Sequence, residues 1–176
     1  GRSWQDTRLP QSVIIEGCSF TQTNGVAKDA VKIRNGCKQF IMNGNTFDID
    51  GFVFGVYNSN DDEVNKWPHK TNNKVVISDN IVIRCLDFVV GGGWLGGGTE
   101  ELIVSNNNVT ATRNIFSLGK SSYGFNLKKA IFSDNIFKCA DKIGLINGWL
   151  SSEIESVLFS NNEIEYAFAG GIEMYG

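Results

Sequence analysis

Apolar residues along this chain come in short alternating bursts: Val75 and Ile77, Phe88 and Val90, Phe137 and Cys139, Ile143 and Leu145 each stand two positions apart. A two-residue period puts such side chains on one face of a strand, whereas a helix repeats them every three or four positions. The bursts are brief and bounded by Gly, Asn, Asp and Ser, so the pattern predicts an all-β chain of many short strands. The bursts also repeat as words. ISDNIV (77–82), VSNNNV (104–109), FSDNIF (132–137) and FSNNEI (159–164) are nearly the same, with MNGNTF (42–47) as a fifth and IEGCSF (15–20) as a weaker sixth.

The fourth residues of these words are Cys18, Asn45, Asn80, Asn107, Asn135 and Asn162, at spacings of 27, 35, 27, 28 and 27. A period in this range marks a solenoid or array, with one insertion of eight residues. A unit of this length holds three short strands and no hairpin connections, which suits one turn of a parallel β-helix whose coils stack about 4.8 Å apart. About six coils are expected over residues 13–176, with residues 1–12 as a lead-in or cap and a loop insertion at about 57–73. The recurrent Asn belongs at a tight corner: it tolerates left-handed backbone, and its amide can bond the same amide in the coils above and below. Asn45, Asn80, Asn107, Asn135 and Asn162 are therefore expected to form a structural ladder. Ile77, Val104, Phe132 and Phe159, with Phe47, Val82, Val109, Phe137 and Ile164, are expected to stack as inward columns.

Composition narrows the function. A chain of 176 residues with a net charge of -3 and interspersed signs fits one domain and carries no electrostatic footprint for nucleic acid or an anionic membrane. No apolar run approaches a membrane span, and GRSWQDTRLP lacks the apolar centre of a signal peptide, so the chain reads as soluble and as excised from something longer. Cys18, Cys37, Cys85 and Cys139 form no CxxC pair and with the single His69 no zinc pattern; they are expected as small buried hydrophobes with free thiols, with no metal and no cofactor. Gly91, Gly93 and Gly96 spell G-x-G-x-x-G, but a second β-type run follows almost at once and Phe116 stands where an acidic residue would be needed, which excludes a dinucleotide turn.

On the words quoted above, the chain resembles the right-handed parallel β-helix proteins of the pectate-lyase-like superfamily, which include phage tailspikes and polysaccharide lyases and hydrolases. The resemblance implies a right-handed, single-stranded β-helix, an extracellular or virion-surface location, a polysaccharide or oligosaccharide as ligand, and assembly as a homotrimer or as part of a longer chain. The Gly-His-Gly triplet and Arg-Ile-Lys segment of the polygalacturonase branch are absent.

Trp94 and Trp149 lie 14 residues after Asn80 and Asn135, in GGWLGG and NGWLSS. Equivalent positions two coils apart put their backbones about 10 Å from each other, a separation that suits aromatic platforms for sugar rings. The competing expectation is that each indole, with Leu95 or Leu150 beside it, folds back over the core. Trp67, in the polar insertion with His69, extends the candidate binding surface. Asp48 and Asp50 alternate with apolar residues in FDIDG and, with Asp87, are candidates for the acid and base of glycoside hydrolysis, although outward charges on a strand also serve simply to keep a sheet soluble. Three functions follow: a tailspike-like domain that binds surface polysaccharide through aromatic loops, a glycan-cleaving hydrolase or lyase using outer-face carboxylates, or a structural spacer in a fibre.

Overall fold

The computed structural model describes residues 11–22, 28–34, 37–57, 72–91, 97–118, 125–140, 143–147, 155–166 and 172–175. These form eighteen strands and no helix. Three parallel sheets of six strands run side by side, and every strand pairs with its equivalents in the adjacent coils, the first and last of each sheet on one side only, which is the β-solenoid expected from the repeat. Sheet A holds β1 (Ser12–Glu16), β4 (Gln39–Asn43), β7 (Asn72–Ser78), β10 (Gly97–Ser105), β13 (Phe125–Ser133) and β16 (Ser156–Ser160). Sheet B holds β2 (Ser19–Gln22), β5 (Thr46–Ile49), β8 (Ile81–Cys85), β11 (Asn108–Ala111), β14 (Ile136–Cys139) and β17 (Glu163–Tyr166). Sheet C holds β3 (Asp29–Arg34), β6 (Phe52–Tyr57), β9 (Asp87–Gly91), β12 (Phe116–Leu118), β15 (Gly144–Asn147) and β18 (Ile172–Tyr175). Of the loop insertion expected at about 57–73, Tyr57, Asn72 and Asn73 belong to β6 and β7, and residues 58–71 between them lie outside the described part.

The core runs down the axis between the three sheets. Phe40, Met42, Phe47, Phe54, Val75, Ile77, Val104, Val109, Phe116, Phe132 and Phe137 are at most 1% exposed. Equivalent rings stack at the coil spacing: Phe132 lies 4.6 Å from Phe159 and Phe20 4.7 Å from Phe47, the ring planes of each pair nearly parallel. Such columns bury large apolar area on every coil, at about 25 cal/mol per Å² removed from water. Two of the expected inward positions differ. Phe159 is half-buried and Ile164 is 38% exposed, because β16 and β17 have a neighbouring strand on one side only. The alternation expected at Phe88 and Val90 also dissolves, since β9 is buried at all five positions.

The corner from sheet A to sheet B is closed by the asparagine ladder. In its interior, Asn80 and Asn107 each donate from the backbone N–H and from Nδ2 to Oδ1 of the next Asn, at 2.9–3.0 Å. Each Nδ2 also donates to a carbonyl of the coil before: Asn80 to Met42, Asn107 to Ile77 and Asn135 to Val104, at 2.9–3.1 Å. The amide is used at both ends, which no hydroxyl or carboxylate of this size can imitate. The left-handed residue is not the ladder Asn but the one before it. Gly17, Gly44, Asp79, Asn106, Asp134 and Asn161 have φ between 53° and 63°. These are the residue types that visit this region at least cost.

Candidate functional site

Asp48, in β5, and Asp50, just after it, converge on Arg84 of the next coil. Arg84 Nε donates to Asp48 Oδ1 at 3.1 Å, its Nη2 lies 3.1 Å from the same oxygen, and its Nη1 bonds Asp50. Arg84 reaches them through a bulge. Four positions separate Asn45, Asn107 and Asn135 from Ile49, Ala111 and Cys139, the buried residues closing their sheet B strands, but five separate Asn80 from Cys85. The register therefore slips between the Phe47–Val82 and Asp48–Arg84 pairs, Ile83 is pushed outward at 57% exposure, and Arg84 comes opposite Asp48. Both carboxylates thus accept from a guanidinium that sequence inspection did not single out, although the extra residue before Cys85 was the signal for it.

Asp87 sits differently. It opens β9 on the core side and is fully buried. Oδ1 accepts from Arg113 Nε at 2.9 Å and from the Asn114 backbone N–H at 3.0 Å, while Oδ2 accepts from Arg113 Nη2. The guanidinium also lies over the Phe52 ring at 5.7 Å. A buried carboxylate is tolerated where a paired cation and hydrogen bonds replace its water, and Asp87 has both. The arrangement ties three successive coils together where sheet B passes to sheet C. Burial first, and then the Asp87 charge, pushes the Cys85 thiol well above its ordinary value. Burial alone raises Cys37. None of the four cysteines is in a disulfide, and Cys18 departs from the burial expected of it: it is exposed, in the first described coil.

Next to this corner, on coils further along the stack, Thr110, Thr112, Lys138, Cys139, Ala140 and Glu165 line an open groove of about 380 Å³. Lys138 and Glu165, register partners of β14 and β17, form an ion pair at 3.2 Å along its wall. The groove surface is mostly apolar, and its cation and anion are paired with each other. Among the described residues no group of three His, Cys, Asp or Glu side chains is placed to hold a metal ion. No helix among them is long and apolar enough to cross a membrane.

Trp94, Trp149 and Trp67 lie outside the described residues, as do His69, Leu95 and Leu150. The strands on either side fix which connection each belongs to. Trp94 lies between β9 and β10, Trp149 between β15 and β16, and Trp67 between β6 and β7, so all three fall where the chain passes from sheet C to sheet A. β9 and β15 are separated in sheet C by β12 alone, which is the two-coil offset expected. The carboxylates belong to the passage from sheet B to sheet C instead, so they and the tryptophans are carried by different corners. The G-x-G-x-x-G stretch joins β9 to β10, strand to strand. Comparison with protein-family models, with curated proteins and with solved structures finds no match to this chain.

Proposed function

We propose that this chain is a surface-polysaccharide-binding domain of the tailspike-like kind, acting in an extracellular or virion-surface setting and engaging glycan through the connections between sheet C and sheet A. The observation that carries the reading is that Trp67, Trp94 and Trp149 all belong to this one series of connections. Its lengths vary from coil to coil, while the connection from sheet A to sheet B is always two residues. In repeat architectures, binding is carried by the face where insertions accumulate. Binding rather than cleavage is supported by the occupation of the candidate carboxylates. Asp48 and Asp50 share Arg84, and Asp87 is buried against Arg113, so none is presented free to a substrate.

The test measures glycan affinity and unfolding together. A panel of surface oligosaccharides is titrated against the wild type, Trp94→Ala and Trp149→Ala, with release of reducing ends followed in parallel. Each substitution is expected to weaken binding by about 1 kcal/mol, roughly fivefold, the scale of one aromatic contact. The unfolding midpoint should hold, and no reducing ends should appear. Loss of stability with unchanged affinity would refute the reading, as would cleavage abolished by Asp48→Asn.

A further inference from the structure

The outer face of sheet A carries an unbroken aliphatic row. Ile14, Ile41, Val76, Ile103, Ile131 and Leu158 are register partners from one strand to the next. They point away from the core: their strand neighbours Phe40, Val75, Leu102 and Ala130 are the buried ones. Ile14 is 60% and Leu158 52% exposed, and the four between are half-buried by mutual stacking. One water-facing aliphatic residue is ordinary on a strand, but six in register form a contiguous apolar stripe of the kind that marks an interaction surface. On one side of the stripe runs a row of opposite charges, with Lys74 bonded to Glu101 at 3.0 Å and Lys129 at 4.0 Å from the same carboxylate. On the other side Ser78, Ser105, Ser133 and Ser160 stand in register, small enough to let another surface approach.

We propose that this face binds a second copy of the chain, with the two solenoids antiparallel about a two-fold axis that runs along the strands between β7 and β10. That operation lays stripe on stripe, setting Val76 against the partner's Ile103 and Ile41 against the partner's Ile131. It also sets Lys74 against the partner's Glu101, and the reverse, so that four charges alternate around the axis. The face is self-complementary in this arrangement, as an isologous interface requires. Parallel solenoids would set the charged row against the serine row and leave Lys74 and Glu101 facing no opposite charge. A cyclic trimer joins two different surfaces, and the stripe complements itself. Six strands at about 4.8 Å and five residues at about 3.3 Å give a face of about 29 by 17 Å, close to 1,000 Å² for both copies together. That is the lower end of specific interfaces, so the dimer should be reversible and concentration-dependent.

Sedimentation of the whole chain across a concentration series tests this. A monomer–dimer equilibrium is expected. Ile103→Asp should raise the dissociation constant at least tenfold while the strand content and a cooperative unfolding transition persist. Glu101→Lys should also weaken the dimer, and the double exchange Lys74→Glu with Glu101→Lys should restore it, which a merely destabilised fold would not do. A monomer at every concentration, a trimer, or a dimer indifferent to these changes would overturn the proposal.

Discussion

Replacing Asn107 by Ala isolates what the ladder contributes. The Asn107 side chain accepts at Oδ1 from the Asn80 backbone N–H and from Asn80 Nδ2, and its Nδ2 donates to Asn135 Oδ1, Ile77 O and Ser105 O. Truncation does not strand all of these equally. Asn80 Nδ2 keeps Met42 O and Ser78 O, Asn135 Oδ1 keeps the backbone N–H of residue 107, and Ser105 O keeps the Asp79 N–H. The Asn80 N–H, on a fully buried residue, loses the acceptor it has, and such a group costs about 1–3 kcal/mol. The vacated volume and the lost bond to Ile77 O bring the expected loss to on the order of 3 kcal/mol. In a chain of this size that lowers the thermal midpoint by roughly 6–12 °C.

Asn107→Asp sharpens the test, because it keeps the acceptor for Asn80 and removes the donor. Its second oxygen would face three acceptors, Ile77 O, Ser105 O and Asn135 Oδ1, so at neutral pH it should be worse than Ala. Its carboxyl is easier to protonate in the folded state than in the unfolded one. The penalty therefore grows as pH rises from the ordinary carboxylate value toward the raised folded one, and shrinks on acidification. At the end of the row Asn162 is half-buried with water at hand, and Asn162→Ala should cost less than half as much. Chemical and thermal unfolding of the three variants against wild type measures these values. A wild-type midpoint for Asn107→Ala, or Asn107→Asp no worse than Ala, would refute the reasoning.

Gly44 has φ of +63° and open space where a Cβ would stand, so Gly44→Ala should cost only the backbone term of roughly 1–2 kcal/mol, with Gly44→Asn milder. A Cβ on Gly51 would lie 2.1 Å from the Lys28 carbonyl oxygen, so Gly51→Ala must move backbone and should lose about 3 kcal/mol or more; denaturant midpoints rank the three. Native alkylation should label Cys18 first and reach Cys37, Cys85 and Cys139 only on unfolding, as read by mass spectrometry of digested protein. The raised Cys85 thiol stabilises the fold fully below its unfolded value near 9.0, and that contribution is lost as pH rises above it toward the folded value. Cys85→Ala should therefore flatten part of the alkaline fall in thermal midpoint.

The ladder was legible because its chemistry admits so few residues. Only an amide accepts from one coil while donating to the next at this length, so Asn recurs where a merely polar corner would drift among Ser, Thr and Asp. The left-handed position was assigned one residue late. Asn satisfies both demands in isolation, and only the column Gly17, Gly44, Asp79, Asn106, Asp134, Asn161 separates them, since its residues share tolerance of positive φ and not an amide. The ionic partners were harder to see. Arg84 meets Asp48 across 36 residues through a one-residue bulge, and Arg113 meets Asp87 across 26, whereas alternation of apolar and polar positions speaks only of faces within a strand. The aliphatic row on sheet A was hidden for the same reason. Within any single strand its member reads as one more apolar residue, and register alone turns six of them into a surface.

The corners of the solenoid differ in how much freedom they leave the chain. From sheet A to sheet B every connection is two residues long, with the left-handed residue first and the ladder residue second, and a change there propagates to the coils on both sides. From sheet C to sheet A the connections run to 4, 14, 5, 6 and 8 residues. A coil need only return in register for stacking to continue, so length and side chains in this second series can vary with little penalty to the fold, because closing a longer loop adds entropy slowly. A ladder substitution should therefore register mainly in unfolding, and one among the sheet C to sheet A connections mainly in ligand binding. Asn107→Ala and Trp94→Ala, measured for both properties, should fall on opposite axes. If the tryptophan variant instead tracks the ladder variant in stability, that corner belongs to the architecture, and the ligand must be sought at the groove between Thr110 and Glu165.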